Sequence, residues 1–473
     1  LEPFYRAANN WQRLIQCYEI MVAHAGDAEE KIGLLHRIAE LYEIGGDEQL
    51  KAFEALGRAF KVDPANQATQ ERLENIARQM GDYPRLVALY DESIPDIVDD
   101  NLIIRLLVKV AQVYELVLED PVKAAASYER ILGVDPGNFE AVDALITLHL
   151  KNSNFNALVE AVVRKSEMVT EVADRKALLL YAAQTRETAM EDPAGAIALY
   201  QQVLVLDDAD AAALDALAKL FTQTEAWEQL KDIYRRKTEL AESPEHRRYW
   251  LHQLGAIYDQ KLKDVEQAIE TYRAILDLEL ADYDAIQALD RLFGQAERWP
   301  DQLGILERAV EVAPQPEEKT ALRHRIGALF ENQLADIVRA VEAYRDTLAN
   351  APDHAPTVAA LDRIVHGADQ PMLAAEVLAP YYNQLGEWEK LVDVFEVMVK
   401  QVGDPAQQID LLHQIAAIYE RQLQQYDNAF AAYARALVIE PTHEGTLEQL
   451  HRLADVTGDH EKLAGMLADQ AEQ

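Results

Sequence analysis

Large residues recur along this chain with a constant 72-residue period, at positions 11, 83, 155, 227 and 299. The series continues after its fifth member with a spacing of 89, which is 72 plus 17. A second series, at positions 56, 128, 200, 272, 344 and 433, has the same spacings and the same insertion. A period shared by two series constrains the fold more than any local motif does, because each period must be one copy of a structural unit. The first series is Trp11, Tyr83, Phe155, Trp227, Trp299 and Trp388.

Units that contact only their neighbours form one elongated body of any length, so this period predicts one continuous solenoid. We expect the short segment 1–10 to be the end of a preceding repeat, and 460–473 to be the start of a further one. The full units between them are 11–82, 83–154, 155–226, 227–298, 299–387, which carries an extra helix at 371–387, and 388–459.

A longer 377-residue repeat, equal to four times 72 plus 89, is superimposed on the short one. Leu1 and Tyr5 recur as Leu378 and Tyr382, and the segment from Ile32 to Tyr42 resembles the segment 377 positions later. The chain therefore contains one long copy and the first 96 residues of the next. We expect it to be part of a longer array.

Each 72-residue unit is predicted to contain four helices. In the unit 83–154, apolar residues recur at three- and four-residue intervals, which is the helical pattern. Asp120 followed by Pro121 indicates a capped helix start, Pro136 ends that helix, and Asn138 caps the next. Since no stretch alternates with period two, no strands are expected. The fold class predicted is all-α, with about 27 helices.

Several of these positions resemble the tetratricopeptide repeat (TPR) family over nearly the whole chain. The signature pairs a bulky and a small residue, followed by Tyr, then Ala, Tyr or Phe, Ala and Pro at fixed offsets. It fits Leu254, Gly255, Tyr258, Ala268 and Tyr272, and again Ile38, Ala39, Tyr42, Ala52, Ala59 and Pro64. The resemblance implies a right-handed superhelix of helix pairs, whose concave groove is lined by the first helix of each pair. One departure is Arg186, which stands in the tyrosine position of its unit.

The strongly negative charge of the chain indicates which classes of partner it disfavours. With 82 acidic and 45 basic residues, the net charge is −37, which disfavours non-specific nucleic-acid binding and adsorption to anionic membranes. Solubility and attraction of a basic protein segment are the two explanations left open. No apolar run is long enough for membrane insertion. The compartment is unknown, with the cytoplasm favoured.

No catalytic, cofactor-binding or metal-binding motif is present, so the sequence predicts a protein that is not an enzyme and needs no cofactor. A single cysteine excludes a disulfide framework. Four histidines share one repeat position, so they lie in different units and cannot share one ion. We expect half-buried, hydrogen-bonded side chains that face the groove. This histidine series is His36, His252, His324 and His413.

Every unit places a carboxylate directly after the first aromatic position of the signature. Because a carboxylate near a helix C-terminus is opposed by the helix dipole, something other than helix formation must favour it. The alternatives are salt bridges between helices, common repeat ancestry, and an acidic groove that binds a partner. This acid series is Glu43, Glu115, Glu187, Asp259, Glu331 and Glu420.

The sequence thus predicts a non-enzymatic scaffold or adaptor that binds protein partners, including basic or extended segments, in an acidic concave groove. Two alternatives remain. The chain could be a rod that associates with itself end to end, as the 377-residue repeat suggests, or a regulatory domain of a larger protein.

Overall fold

The computed structural model describes residues 2–45 and 48–471. This part of the chain contains 27 α-helices and no strand, which confirms the predicted all-α fold. None of these helices is both long enough and apolar enough to cross a membrane.

The helices follow the repeat closely, with four in each 72-residue unit and α22 as the additional helix of the fifth unit. One short 3₁₀ turn, Ile94–Asp96, follows α6, and α15 continues into a π-helical turn, Ile257–Leu262. The bounds are α1 Glu2–Ala7, α2 Trp11–His24, α3 Ala28–Gly45, α4 Gln49–Val62, α5 Gln67–Met80, α6 Tyr83–Ser93, α7 Asp100–Leu116, α8 Pro121–Val134, α9 Phe139–Lys151, α10 Phe155–Met168, α11 Val172–Thr188, α12 Pro193–Leu206, α13 Ala211–Gln223, α14 Trp227–Leu240, α15 Pro244–Ala256, α16 Val265–Leu278, α17 Tyr283–Gln295, α18 Trp299–Val312, α19 Pro316–Asn332, α20 Ile337–Asn350, α21 Ala355–Val365, α22 Pro371–Leu385, α23 Trp388–Gln401, α24 Pro405–Arg421, α25 Tyr426–Ile439, α26 Glu444–Thr457 and α27 His460–Ala471.

The chain divides into two compact bodies, Leu1–Ala226 and Trp227–Gln473. Within each body, helices that follow one another in sequence pack together, and the second and third helices of a repeat unit pack most closely. Each body buries its own apolar residues, such as Leu106 and Val110 in the first and Leu289 and Leu412 in the second. Within each body this arrangement is that of repeats stacked on their neighbours.

The predicted helix starts are present. The Asp120 side chain accepts a hydrogen bond from the backbone N–H of Lys123, and Asp192, one unit later, does the same for Gly195. Asn138 caps α9 through the N–H of Ala141. These bonds satisfy backbone donors that a helix start leaves free, so the capping residues define where the third and fourth helices of a unit begin.

All six members of the first large-residue series begin a helix. The repeat predicts equivalent, largely buried places for its tryptophans. The places are equivalent, but each ring is only half-buried, because the first residue of a helix lies at the edge of the packed layer and water reaches one side of the ring. These residues are Trp11, Trp227, Trp299 and Trp388.

Glycine replaces alanine in two units where a tyrosine ring lies unusually close to the second helix. A Cβ built on Gly327 would overlap the ring of Tyr344, and one on Gly255 would lie 2.9 Å from the ring of Tyr272. Other units hold alanine here, as at Ala111. The missing methyl group therefore lets the tyrosine of the third helix approach the second.

We expect Gly327→Ala to lower the free energy of unfolding by about 1 kcal/mol, the balance of two opposing effects. Overpacking against a fixed ring costs about 1–3 kcal/mol, partly offset by the roughly 1 kcal/mol that alanine gains over glycine within a helix. Gly304, exposed on α18 with open space around its Cβ position, is the matched control. Gly304→Ala should be stabilising in the same urea titration; a stabilising Gly327→Ala would contradict the close approach of Tyr344.

Candidate functional site

Five of the six acids of the acid series form ion pairs between helices. Each acid lies near the end of the second helix of its unit, and the cation lies on the fourth helix. Each ion pair thereby links the second helix of a unit to the fourth, which precede and follow the third helix in the chain order. The pairs are Glu43–Arg72 at 2.7 Å, Glu187–Lys219 at 2.7 Å, Asp259–Arg291 at 2.5 Å, Glu331–Arg363 at 2.7 Å and Glu420–Arg452 at 2.5 Å.

In most of these pairs the carboxylate is more buried than the cation. The side chain of Glu331 is 10% exposed, whereas that of Arg363 is 62% exposed. Tyr344 also donates a hydrogen bond to Glu331, at 2.7 Å. Burial of the tyrosine is the larger cause that raises its pKa, and the hydrogen bond to Glu331 is the next. In the last unit, the hydrogen bond from Arg452 lowers the pKa of Glu420. The acid is thus held as a charged, oriented acceptor.

These contacts supply the stabilisation that helix formation does not. The helix dipole opposes a carboxylate near a C-terminus by about 0.3–1 kcal/mol, and a hydrogen bond to a charged group contributes about 1.5–3 kcal/mol. Because the cation side chains are 30–62% exposed, water screens the pairs and each contributes toward the lower end. Of the explanations considered for the acid series, salt bridges between helices therefore account for five of its six residues.

Glu115 is the member of the acid series without a basic partner in the described structure. Its carboxylate accepts one hydrogen bond, from Tyr128 at 3.4 Å. The position that holds Lys219, Arg291, Arg363 and Arg452 in later units is Thr147 here. The Thr147 hydroxyl donates to the backbone oxygen of Asp143 in its own helix, at 2.9 Å. The second unit thus keeps the acid and lacks the cation.

The histidine series lies along the same helices, half-buried and hydrogen-bonded as expected. Each ring contacts the start of the fourth helix of its unit, either its first turn or, for His252, its N-cap residue. In three units the partner is a threonine hydroxyl and in the remaining one a carboxylate. The pairs are His36–Thr69 at 2.7 Å, His252–Asp282 at 3.0 Å, His324–Thr357 at 3.1 Å and His413–Thr446 at 2.8 Å.

In the last unit this contact is part of a helix cap. The Nδ1 atom of His443 accepts the backbone N–H of Thr446 at 3.2 Å and lies 2.8 Å from its Oγ1. An accepting Nδ1 is unprotonated, so the threonine hydroxyl can donate to it while His413 Nε2 donates to the threonine. The two imidazole centroids are 5.5 Å apart. The His443 ring thus caps the start of α26 and also contacts the threonine that His413 binds.

Burial lowers the pKa values of His36, His324 and His413 below the ordinary value, with nearby cationic or histidine groups adding to the effect. A histidine with a lowered folded-state pKa stabilises the fold fully above the unfolded pKa of about 6.5, and that contribution is lost as the pH falls through the folded value. We expect the melting temperature to fall as the pH is lowered from 7 to 5.5.

The test replaces those three histidines with leucine, the residue at the equivalent position 180. The triple variant should lose less melting temperature over this interval than the parent chain. His246→Gln, at an exposed position, is the control. An unchanged pH dependence in the triple variant would contradict the assignment.

The described part of the chain has no group of three or more side chains that could hold a metal ion. Its clefts are lined mainly by helix-face residues. One cleft of about 680 Å³, between α1, α2 and α3, is bordered by Trp11, Tyr18 and Glu40. Another of about 220 Å³, between α5, α6 and α7, is bordered by Tyr90 and Lys109. Both are open at the surface.

Comparison with known proteins matches two segments of the chain to a family model. The tetratricopeptide repeat family model matches residues 251–282 and 409–443. No curated protein matches the chain. Both matched segments join a second helix of a unit to the start of its fourth, and they contain the signature tyrosines Tyr258 and Tyr419.

Solved structures similar to this chain include tetratricopeptide repeat proteins. YrrB, described as a TPR protein with an unusual peptide-binding site, is 16% identical over 39% of this chain and 90% of its own, with a TM-score of 0.25. The C-terminal part of a TPR repeat-containing protein from Cytophaga hutchinsonii is 17% identical over 57% and 99%, with a TM-score of 0.26. The APC/C hetero-tetramer Cut9–Hcn1 is 13% identical over 96% and 95%, with a TM-score of 0.22.

Proposed function

We propose that the chain is a protein–protein interaction scaffold without catalytic activity, because two of its segments match the tetratricopeptide repeat family model and the other units repeat the same helical pattern. Its binding face is formed, within each body, by the second and fourth helices of successive units. The second helices carry the acid series and the histidine series, and the fourth helices carry most of their partners. The observation that carries this proposal is that ion pairs and histidine contacts fix these helices to one another. A surface that is already ordered loses little conformational entropy when a partner binds.

The partner chemistry follows from charge. The five ion pairs are each neutral, so the net charge of −37 belongs to the many other acids and to Glu115. Such a surface raises the local concentration of cationic partners and speeds their capture. We propose a basic or extended protein segment as the ligand. The five paired acids hold the face in shape, and Glu115 is the acid of the series available to a ligand.

The proposal is tested with two fluorescent peptides of equal length and apolar content, one rich in arginine and one rich in glutamate. The arginine peptide should bind, and its affinity should fall as salt is raised, because exposed charges are screened over about 8 Å at physiological ionic strength. Equal binding of both peptides, or binding of neither, would count against a basic ligand.

Self-association is a second candidate, supported by the 377-residue repeat that pairs Leu1 and Tyr5 with Leu378 and Tyr382. A rod extended by duplication can stack through its ends. Sedimentation separates the two functions: a species that remains monomeric as the protein concentration rises excludes association through this segment.

A further inference from the structure

The second unit differs from the later units at three positions around Glu115. The cation position is Thr147. The residue after the acid is Leu116, which is 70% exposed, and the residue one turn beyond Thr147 is Leu150, which is 51% exposed. Leu116 follows the acid on α7, and Thr147 and Leu150 lie one turn apart on α9, where later units place the cation that pairs with the acid.

Later units hold polar, charged or small residues at the same two apolar positions. Polar, charged and small residues are readily tolerated at positions that are exposed to water, whereas exposed leucines leave apolar surface in contact with water. Exposed apolar residues grouped beside a polar group are typical of interaction sites. The equivalents of Leu116 are Thr188, Gln260, Asn332 and Arg421, and those of Leu150 are Thr222, Gly294, His366 and Asp455.

The apolar surface continues on the other side of α7. Leu116 and the following Val117, which is 46% exposed, border the 220 Å³ cleft that also contains Tyr90. On that side, Lys109 is paired with Glu74 at 2.6 Å. Lys109 is thus already paired, whereas Arg78 also lines this cleft, so the cationic group of a ligand is assigned to the Glu115 side of α7 and its apolar groups to the cleft.

We propose that this surface, formed by Glu115, Leu116, Val117, Thr147 and Leu150, binds a partner segment in which an arginine or lysine lies next to apolar residues. The cation of the ligand takes the place that an arginine of the chain holds in the later units. The apolar neighbours of that cation cover the two leucines and Val117. This inference rests on the proposed scaffold function and locates its ligand at α7 and α9.

The shape of the site explains the selectivity. A guanidinium supplied by a ligand can approach Glu115 in the geometry that the chain itself uses in later units, where an arginine forms two hydrogen bonds to the carboxylate. Arg452 does so to Glu420, at 2.7 and 2.5 Å. An acidic or purely apolar segment would leave the carboxylate unpaired and covered, which costs free energy. Position 147 therefore decides whether the site is open.

The test uses Thr147→Arg, which installs the residue of the fourth, fifth and sixth units and fills the site from within the chain. Thr222→Arg is the matched control. Both threonines are exposed on a fourth helix and donate to the carbonyl four residues earlier, Thr147 at 2.9 Å and Thr222 at 2.7 Å. A phage-displayed library of random dodecamer peptides is selected on the parent chain, and the enriched peptides are titrated against each variant.

The enriched peptides should contain arginine or lysine beside apolar residues. They should bind Thr147→Arg and Glu115→Gln about tenfold or more weakly, the loss that follows when one partner of a desolvated charge pair is removed, and bind Thr222→Arg as they bind the parent. Circular dichroism confirms that each variant is folded.

Two results would overturn the inference. If enriched peptides bind the Thr147→Arg and Glu115→Gln variants as tightly as the parent, the ligand lies elsewhere and only the scaffold function survives. If no peptide is enriched, both proposals fail. A dimer of the parent chain that Thr147→Arg abolishes in sedimentation would instead assign the surface to a second copy.

Discussion

Tyr344→Ala is expected to lower the free energy of unfolding by about 3–5 kcal/mol, as large-to-small changes of buried aromatic residues do. The Tyr344 side chain is fully buried in the core of the fifth unit. Its ring lies against Gly327, and its hydroxyl donates to Glu331 at 2.7 Å. Removal leaves a cavity beside a glycine, which has no side chain to fill it, and takes one partner from a buried acceptor.

Urea denaturation followed by circular dichroism measures this loss. Repeat arrays need not unfold in one step, so hydrogen exchange in α19 and α20 should report the same destabilisation locally. Tyr181→Ala, at an exposed position on α11, is the control and should change stability by no more than about 0.5 kcal/mol. Similar losses in both variants would mean that Tyr344 is not a core residue.

Glu331→Gln is expected to lower the free energy of unfolding by about 1–2 kcal/mol, toward the lower end of what hydrogen bonds to charged groups contribute. The amide keeps the size of the side chain and can still accept from Tyr344, but it no longer attracts Arg363. The loss stays modest because Arg363 is 62% exposed and partly screened by water.

The size of this effect is measured by urea denaturation at low and at high salt. Glu307→Gln, at an exposed position on α18, is the control for removing one negative charge from the chain. If Glu307→Gln destabilises as much as Glu331→Gln, the effect comes from net charge and the ion pair contributes nothing.

The fold could be predicted from the sequence because a packed repeat leaves its period in every unit. The tyrosine and alanine positions recur where the second and third helices meet, and the cap residues Asp120, Asp192 and Asn138 lie where the helices begin. Each of these signals is local, or repeats at one fixed spacing. Both kinds can be read from a single chain.

A recurrent backbone feature is less visible in the sequence. One or two positions after the last helix of a unit, a residue adopts the left-handed region in unit after unit. Glycine marks this position in only three of the seven cases. At the other four positions a residue other than glycine adopts the left-handed conformation, because the end of the helix requires it. The residue type at those positions therefore does not predict the conformation. The seven residues are Asn9, Gly81, Ser153, Glu225, Glu297, Gly386 and Gly458.

The candidate site could be predicted only in part. The acid series is visible because it repeats beside an aromatic position, but its partners lie on another helix, 29 residues away for Arg72 and 32 residues away for Lys219. Such a separation carries no local signal. The later cations do recur with the repeat, so a search for basic residues at that period would find them. The same search would show two units without a cation at this position, the first with Asn75 and the second with Thr147; the first unit supplies Arg72 three residues earlier, and the second has no such replacement in the described structure.

The most direct test of this account is to measure stability and binding on two variants, Glu115→Gln and Glu331→Gln, of which only the second removes an acid from an ion pair. Urea denaturation gives the stability, and titration with the selected cationic peptides gives the affinity. The account predicts opposite outcomes: Glu331→Gln is destabilised and binds the peptides normally, whereas Glu115→Gln has normal stability and binds them about tenfold more weakly. Equal losses of stability in the two variants, with unchanged affinity in both, would contradict it.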